Sequence, residues 1–201
     1  MAEFGANYPC FKADDAVEGV VLGKLVGADL TVNLASGELY GDDGLAEQLS
    51  EFASGSIAME TDDMTDENAQ AIYGCKVKDK EVVYNKGDTA PRGCLGYYKV
   101  LLRKGKRFFK GYFYPRVRAA LGNDSAKTRG NSITFNTAST TFTVFADDNG
   151  DWRKTTTCET ADDVKKWIQD KCKIKTDQAD ASQSPTDGTQ EAGGADNQGT
   201  A

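Results

Sequence analysis

The chain has 201 residues and a net charge of −7, with 39% hydrophobic and 27% charged residues, proportions that suit one folded domain plus a tail. Histidine is absent, which excludes Ser-His-Asp hydrolysis, Cys-His proteolysis and His-ligated metals. No apolar run reaches the length of a membrane span, and Met1-Ala2-Glu3-Phe4 lacks the basic and apolar regions of a secretory signal. The expected compartment is therefore a cytosol, with no membrane partner.

Val20-Val21-Leu22 opens the first predicted strand region, with Gly23 and Gly27 as bend points. Leu30, Val32 and Leu34 then alternate with Asp29, Thr31 and Asn33, the period of a half-buried strand. From Ala35 to Gly55 strand character is weak and loop-formers recur, so a long loop or an arm lying on a neighbour is expected. Leu45, Leu49 and Phe52 form an apolar patch there, between Glu47 and Glu51, and favour the arm. Ile57 and Met59 resume the alternation. A helix is predicted from an N-cap at Thr65 to Gly74, with Ala69, Ile72 and Tyr73 as its apolar stripe.

Glu81-Val82-Val83-Tyr84 reads as a short strand. Tyr97–Leu102 and Arg107–Tyr114 read as a hairpin around Arg103-Lys104-Gly105-Lys106. Ile133 with Phe135, and Phe142 with Val144, supply one or two further strands. A second helix starts at Thr160, whose capping box runs to Asp163, and buries Ala161, Val164, Trp167 and Ile168. Residues 173–201 hold one large apolar side chain, Ile174, and are expected to be a disordered acidic tail behind a domain of residues 1–172. The fold class is mainly β, a β-sandwich or partial barrel with two short flanking α-helices.

Five cysteines at wide spacings, with no C-x-x-C pair, read as free and mostly buried thiols. Asp147-Asp148-Asn149-Gly150-Asp151 has the composition of a turn and lacks the spacing of a calcium loop. No phosphate-binding glycine loop and no nucleophile elbow occurs, so no catalytic, cofactor-binding or metal-binding residue is nominated and the chain is not expected to be an enzyme.

Charge is segregated. Residues 13–75 carry fourteen acids against Lys24 alone, a net of −13, whereas residues 76–129 carry fifteen bases against four acids, a net of +11. Opposite blocks on one domain allow pairing within the chain or head-to-tail contact between copies. Between stacked rings of copies, the acidic arm residues Asp42, Asp43 and Glu47 are expected to meet the basic hairpin residues Arg103, Lys104, Lys106 and Arg107. Aromatics interleaved with those bases also allow a monomeric module binding single-stranded nucleic acid.

An ordered set of segments resembles the major tail proteins of long, flexible-tailed bacteriophages. It comprises Gly23–Asn33, Leu39-Tyr40-Gly41-Asp42-Asp43, Ala58–Asp63, Tyr97-Tyr98, Gly111–Pro115, Thr140–Phe145 and Trp152. The resemblance implies a tail-tube fold and a structural virion protein. Six copies would form a ring, and rings would stack into the tube through which double-stranded DNA passes. The loop at residues 35–55 would reach the adjacent ring, and Glu60, Asp62 and Asp63 would face or approach the lumen. Implied partners are the chain itself and the tape-measure, terminator and initiator proteins, with host cytoplasm and then the virion tail as locations. No cofactor is implied. The tube protein of a contractile injection system shares these features. The tail at 173–201 departs from the family pattern.

Overall fold

The computed structural model describes residues 2–41, 44–78, 81–121 and 137–175. The elements are β1 (Ala2–Ala13), β2 (Val20–Val21), β3 (Leu25–Gly41), β4 (Gly44–Thr61), α1 (Asp66–Tyr73), β5 (Lys76–Lys78), β6 (Glu81–Val83), β7 (Arg92–Arg103), β8 (Lys106–Ala119), β9 (Ala138–Phe145), β10 (Lys154–Cys158) and α2 (Ala161–Cys172). The protein is mainly β with two helices, as its sequence pattern predicts. One eight-stranded antiparallel sheet runs β2-β1-β7-β8-β9-β4-β3, with β10 also paired to β8, and β5 and β6 form a separate ribbon. Among the described residues, no helix is long and apolar enough to cross a membrane.

The sheet curls strongly. In a flat sheet β1 and β9 would lie about 14 Å apart, being three strand spacings from one another. Yet the rings of Phe11 on β1 and Phe142 on β9 have centroids 5.8 Å apart. The concave face therefore closes on itself as a partial barrel, filled by Phe11, Ile57, Met59, Leu95, Tyr97, Tyr114, Phe142 and Val144 and plugged by α1 through Ile72 and Tyr73. The Tyr73 and Thr140 hydroxyls meet at 3.0 Å, which satisfies both buried groups. Burial of each large side chain contributes about 1.5–3 kcal/mol.

Strand alternation sends the neighbours of these residues outward. Tyr8, Cys10, Tyr98 and Phe113 lie on the convex face, covered by Val164, Ile168 and Cys172 of α2. The helix fits closely because the sheet is bare beneath it: a Cβ at Gly111 would stand 2.8 Å from Val164 Cγ2. Gln169 Nε2 donates to Tyr8 Oη at 3.0 Å, and burial pushes the Tyr8 hydroxyl up to about 12.

Both helices begin where their capping residues predict. Thr65 Oγ1 accepts from the Asn68 N–H, and Gly74 closes α1 in the left-handed conformation at φ 70°. Thr160 Oγ1 accepts from the Asp163 N–H at 3.1 Å and donates to the Asp163 carboxylate at 2.6 Å. The β7–β8 hairpin turns tightly at Lys104-Gly105, with φ of 47° and 78°, between the pair Arg103 and Lys106.

Four features differ from the sequence reading. Residues 35–55 are not a loop: apart from the tip at residues 42–43, outside the described residues, they are strand, paired from Ala35↔Glu51 to Gly41↔Gly44. Strand β1 is long despite a broken pattern, because bulges near Gly5 and Tyr8-Pro9 reset its alternation. Strand β10 pairs with β8 through Lys154-Thr155-Thr156-Thr157-Cys158. The folded body also passes residue 172: Ile174 is buried, bridges Gly19, and is followed by a 2.7 Å ion pair between Lys175 and Glu18. The predicted strand at Ile133 and Phe135 and most of the predicted tail lie outside the described residues.

Candidate assembly interface

Strand β3 pairs with β4 throughout, but β4 pairs with β9 only from Gly55 to Thr61. Beyond Asn33 and Ser54 the two strands leave the sheet as a two-stranded arm, paired only with each other among the described residues. From Leu34 to Gly41 the arm extends about 25 Å at the usual rise per residue. An isolated hairpin in water is marginal, so this arm needs a support at its base.

The support is a stack. Phe52 lies flat on Trp152, with centroids 4.6 Å apart and planes 6° from parallel, and the Arg153 guanidinium also sits over the Trp152 ring, 4.6 Å from its centroid. Trp152 and Arg153 come from the excursion between β9 and β10, which lies beside Pro115 of β8. Proline there has no N–H to give to a ladder, and the ladder with β9 stops at Arg116 and resumes with β10 at Phe113. Replacing Trp152 by Ala should lower stability by about 1–2 kcal/mol. Hydrogen exchange should quicken at residues 33–37 and 50–54 while β7 and β8 remain protected.

Past the stack the arm offers apolar and acidic groups to solvent. Leu34 is 60% and Leu49 62% exposed, and Glu47 and Glu51 are exposed too. Asp42 and Asp43 lie outside the described residues. The basic residues Arg103, Lys104, Lys106 and Arg107 are brought together at the β7–β8 turn, all exposed. Among the described residues, no ion pair joins Glu47 or Glu51 to Lys104, Lys106 or Arg107.

Register determines which way each protrusion points. Along β8, Ala119 pairs with Phe142 and Arg116 with Phe145; along β9, Ala138 pairs with Thr61 and Val144 with Gly55. Moving toward the hairpin turn is thus moving toward the arm, and both leave the sheet at one end. At the far end Arg92 and Arg118 stand directly opposite each other across β7 and β8. Neither makes an ion pair among the described residues, and Arg118 Nε is buried without a partner. By contrast, Arg116 is held by Asp148 at 2.8 Å.

Over β3, β4 and β9 the convex face is polar, and among the described residues α2 does not extend to it. Asp29, Thr31 and Asn33 on β3, Ser54, Ser56, Ala58 and Glu60 on β4, and Ser139, Thr141 and Thr143 on β9 alternate away from the core. Asn33 Nδ2 donates to Ser54 Oγ across it at 3.2 Å. Glu60 belongs to this face. Asp62 and Asp63 are exposed beyond the end of β4, where Asp62 Oδ1 accepts the Lys24 N–H and Asp63 Oδ1 the Met64 N–H, each at 2.7 Å. Strand β3 ends the sheet path, so among the described residues its outer edge has no strand partner.

Of the seven aromatics that interleave with the hairpin bases, Phe108 and Phe109 are partly exposed and five are spent inside. Tyr97, Tyr112 and Tyr114 belong to the concave core and Tyr98 and Phe113 to the convex one, so they offer no faces to nucleobases. Burial pushes the Tyr97 and Tyr114 hydroxyls up. Among the described residues, no cluster of three or more Cys, Asp or Glu side chains could hold a metal ion.

No protein-family model matches the chain, and neither does any curated protein.

Proposed function

We propose that this chain is a structural subunit of a bacteriophage tail tube, a major tail protein that assembles into six-membered rings stacked around the passing DNA. The observation that carries the reading is the β3–β4 arm, an acidic and apolar hairpin whose described residues beyond Phe52 are all exposed. The open edge of β3 would be completed by strand addition from a ring neighbour, which removes the edge from solvent. The Ser-, Thr- and Asn-rich face with Asp29 and Glu60 would line the bore. It offers few cations to DNA phosphates, so the duplex would slide rather than stick. Burial of five of the seven hairpin aromatics makes a monomeric single-strand-binding module the weaker reading.

The arm has two basic counterparts to choose between. The hairpin tip with Lys104 and Lys106 leaves the sheet beside it, which suits a contact between ring neighbours. Arg92 and Arg118 occupy the opposite end, which suits a contact between stacked rings. Sedimentation velocity across a concentration series, with negative-stain images, should reveal rings or tubes. Reversing Glu47 to Lys should raise the assembly concentration about tenfold. Rescue by Lys106→Glu assigns the arm to the hairpin tip, and rescue by Arg92→Glu assigns it to the far end. A strict monomer that binds single-stranded DNA tightly would defeat the tube reading.

A further inference from the structure

We propose that Cys94 and Cys172 form a thiol pair built to close into a disulfide that staples α2 to the sheet. The inference is independent of the tube reading. Their sulfurs lie 4.0 Å apart, although the residues are 78 positions apart in the sequence. Cys94 is half-buried on β7, facing α2; Cys172 is the last, fully buried residue of that helix. A bond of about 2.05 Å is within side-chain rotation of this separation. Cys10 lies behind the pair, its carbonyl oxygen 4.0 Å from Cys172 Sγ, and is itself fully buried. The partner-facing side of Cys94 is thus occupied by one thiol, while its exposed side is open to a small oxidant.

The electrostatics divide the roles. The Cys172 thiol, and after it the Lys12 ammonium, pull the Cys94 thiol below its ordinary value, against the effect of burial. Contact with Cys94 and burial hold the Cys172 thiol well up. Cys94 is therefore the attacking thiolate and Cys172 the resolving thiol. With hydrogen peroxide as oxidant, the Cys94 sulfur forms an S–O bond as the O–O bond breaks and hydroxide leaves. The Cys172 sulfur then attacks Cys94, the S–S bond forms, the S–O bond breaks, and the oxygen departs as water with the Cys172 proton. The two thiols lose two electrons, and the peroxide is reduced to water.

The staple would close a long loop and pin both α2 and residues 173–175 that follow it. The test uses the full chain, reduced, treated with hydrogen peroxide, freed of peroxide, and then labelled in denaturant at its remaining thiols with N-ethylmaleimide. Non-reducing peptide mapping should find Cys94 joined to Cys172, with Cys75 and Cys158 labelled. Tm should rise by roughly 5–15 °C and fall back on reduction. Cys94→Ser should abolish both the link and the reversible rise; Cys158→Ser should abolish neither. Should Cys94→Ser not fold, Cys94→Ala replaces it, and the map of the unaltered chain decides alone. Labelling of both Cys94 and Cys172 after peroxide, pairing of Cys94 with Cys10, or a sulfinic acid at Cys94 beside a free Cys172 would overturn the proposal.

Discussion

Joining Ala35 to Glu51 through Asn-Gly should abolish ring and tube formation and leave the domain folded, with Tm within a few degrees of the intact chain. Ala35 and Glu51 are directly opposite in the ladder, so a two-residue turn can close it there. The removed residues 36–50 include Ser36, Gly37, Glu38, Gln48, Leu49 and Ser50, all exposed, and none belongs to either core. Phe52 and its stack with Trp152 stay behind. The domain therefore loses little buried area, and stability follows buried area. Assembly should lose everything, since the exposed Leu49 and Glu47 go together with the acidic tip. Analytical centrifugation beside thermal unfolding separates the effects. Tubes from the truncated chain would remove the observation on which the proposed function stands. A truncated chain that unfolds would make the arm part of the fold instead.

What the sequence reveals and what it hides divides along a physical line. The helix starts at Thr65 and Thr160 are legible because a cap is a contact between residues three apart. The hairpin turn at Lys104-Gly105 is legible for the same reason. Strand β1 is hidden because the bulges near Gly5 and Tyr8 shift the side-chain parity that a strand reading counts. The arm is hidden because Ser36, Gly37, Glu38, Gln48 and Ser50 have weak strand preference alone and become strand only through pairing. In the candidate interface the charge blocks are visible in the sequence, and the residues at the β7–β8 turn do come together. That the arm and the turn leave by the same end is not visible, because it depends on the registers of β8, β9 and β4. The thiol pair is likewise hidden. Its signal is spatial, and a reading of buried, inert cysteines describes Cys10 and Cys75 while missing what Cys94 meets.

Gly93→Ala should cost about 3 kcal/mol or prevent folding, whereas Gly37→Ala should be neutral or add a few tenths. A Cβ at Gly93 would stand 2.2 Å from the Lys12 carbonyl oxygen and 2.8 Å from Phe11 Cζ. The nearer atom is backbone in the ladder between β1 and β7, where Lys12 pairs with Cys94 and Ala13 with Gly93. It cannot swing aside as a side chain would, so the strands must separate or the residue must distort. Gly37 has nothing within 4 Å of its Cβ position. Urea unfolding of the two variants measures the difference directly. The result bears on more than one position, because β1 carries Tyr8 and Cys10 to the underside of α2 and Phe11 to the concave core. If Gly93→Ala were as stable as the parent, β1 would not lie where this register puts it. The closed partial barrel and the covering of Cys172 would then both fail.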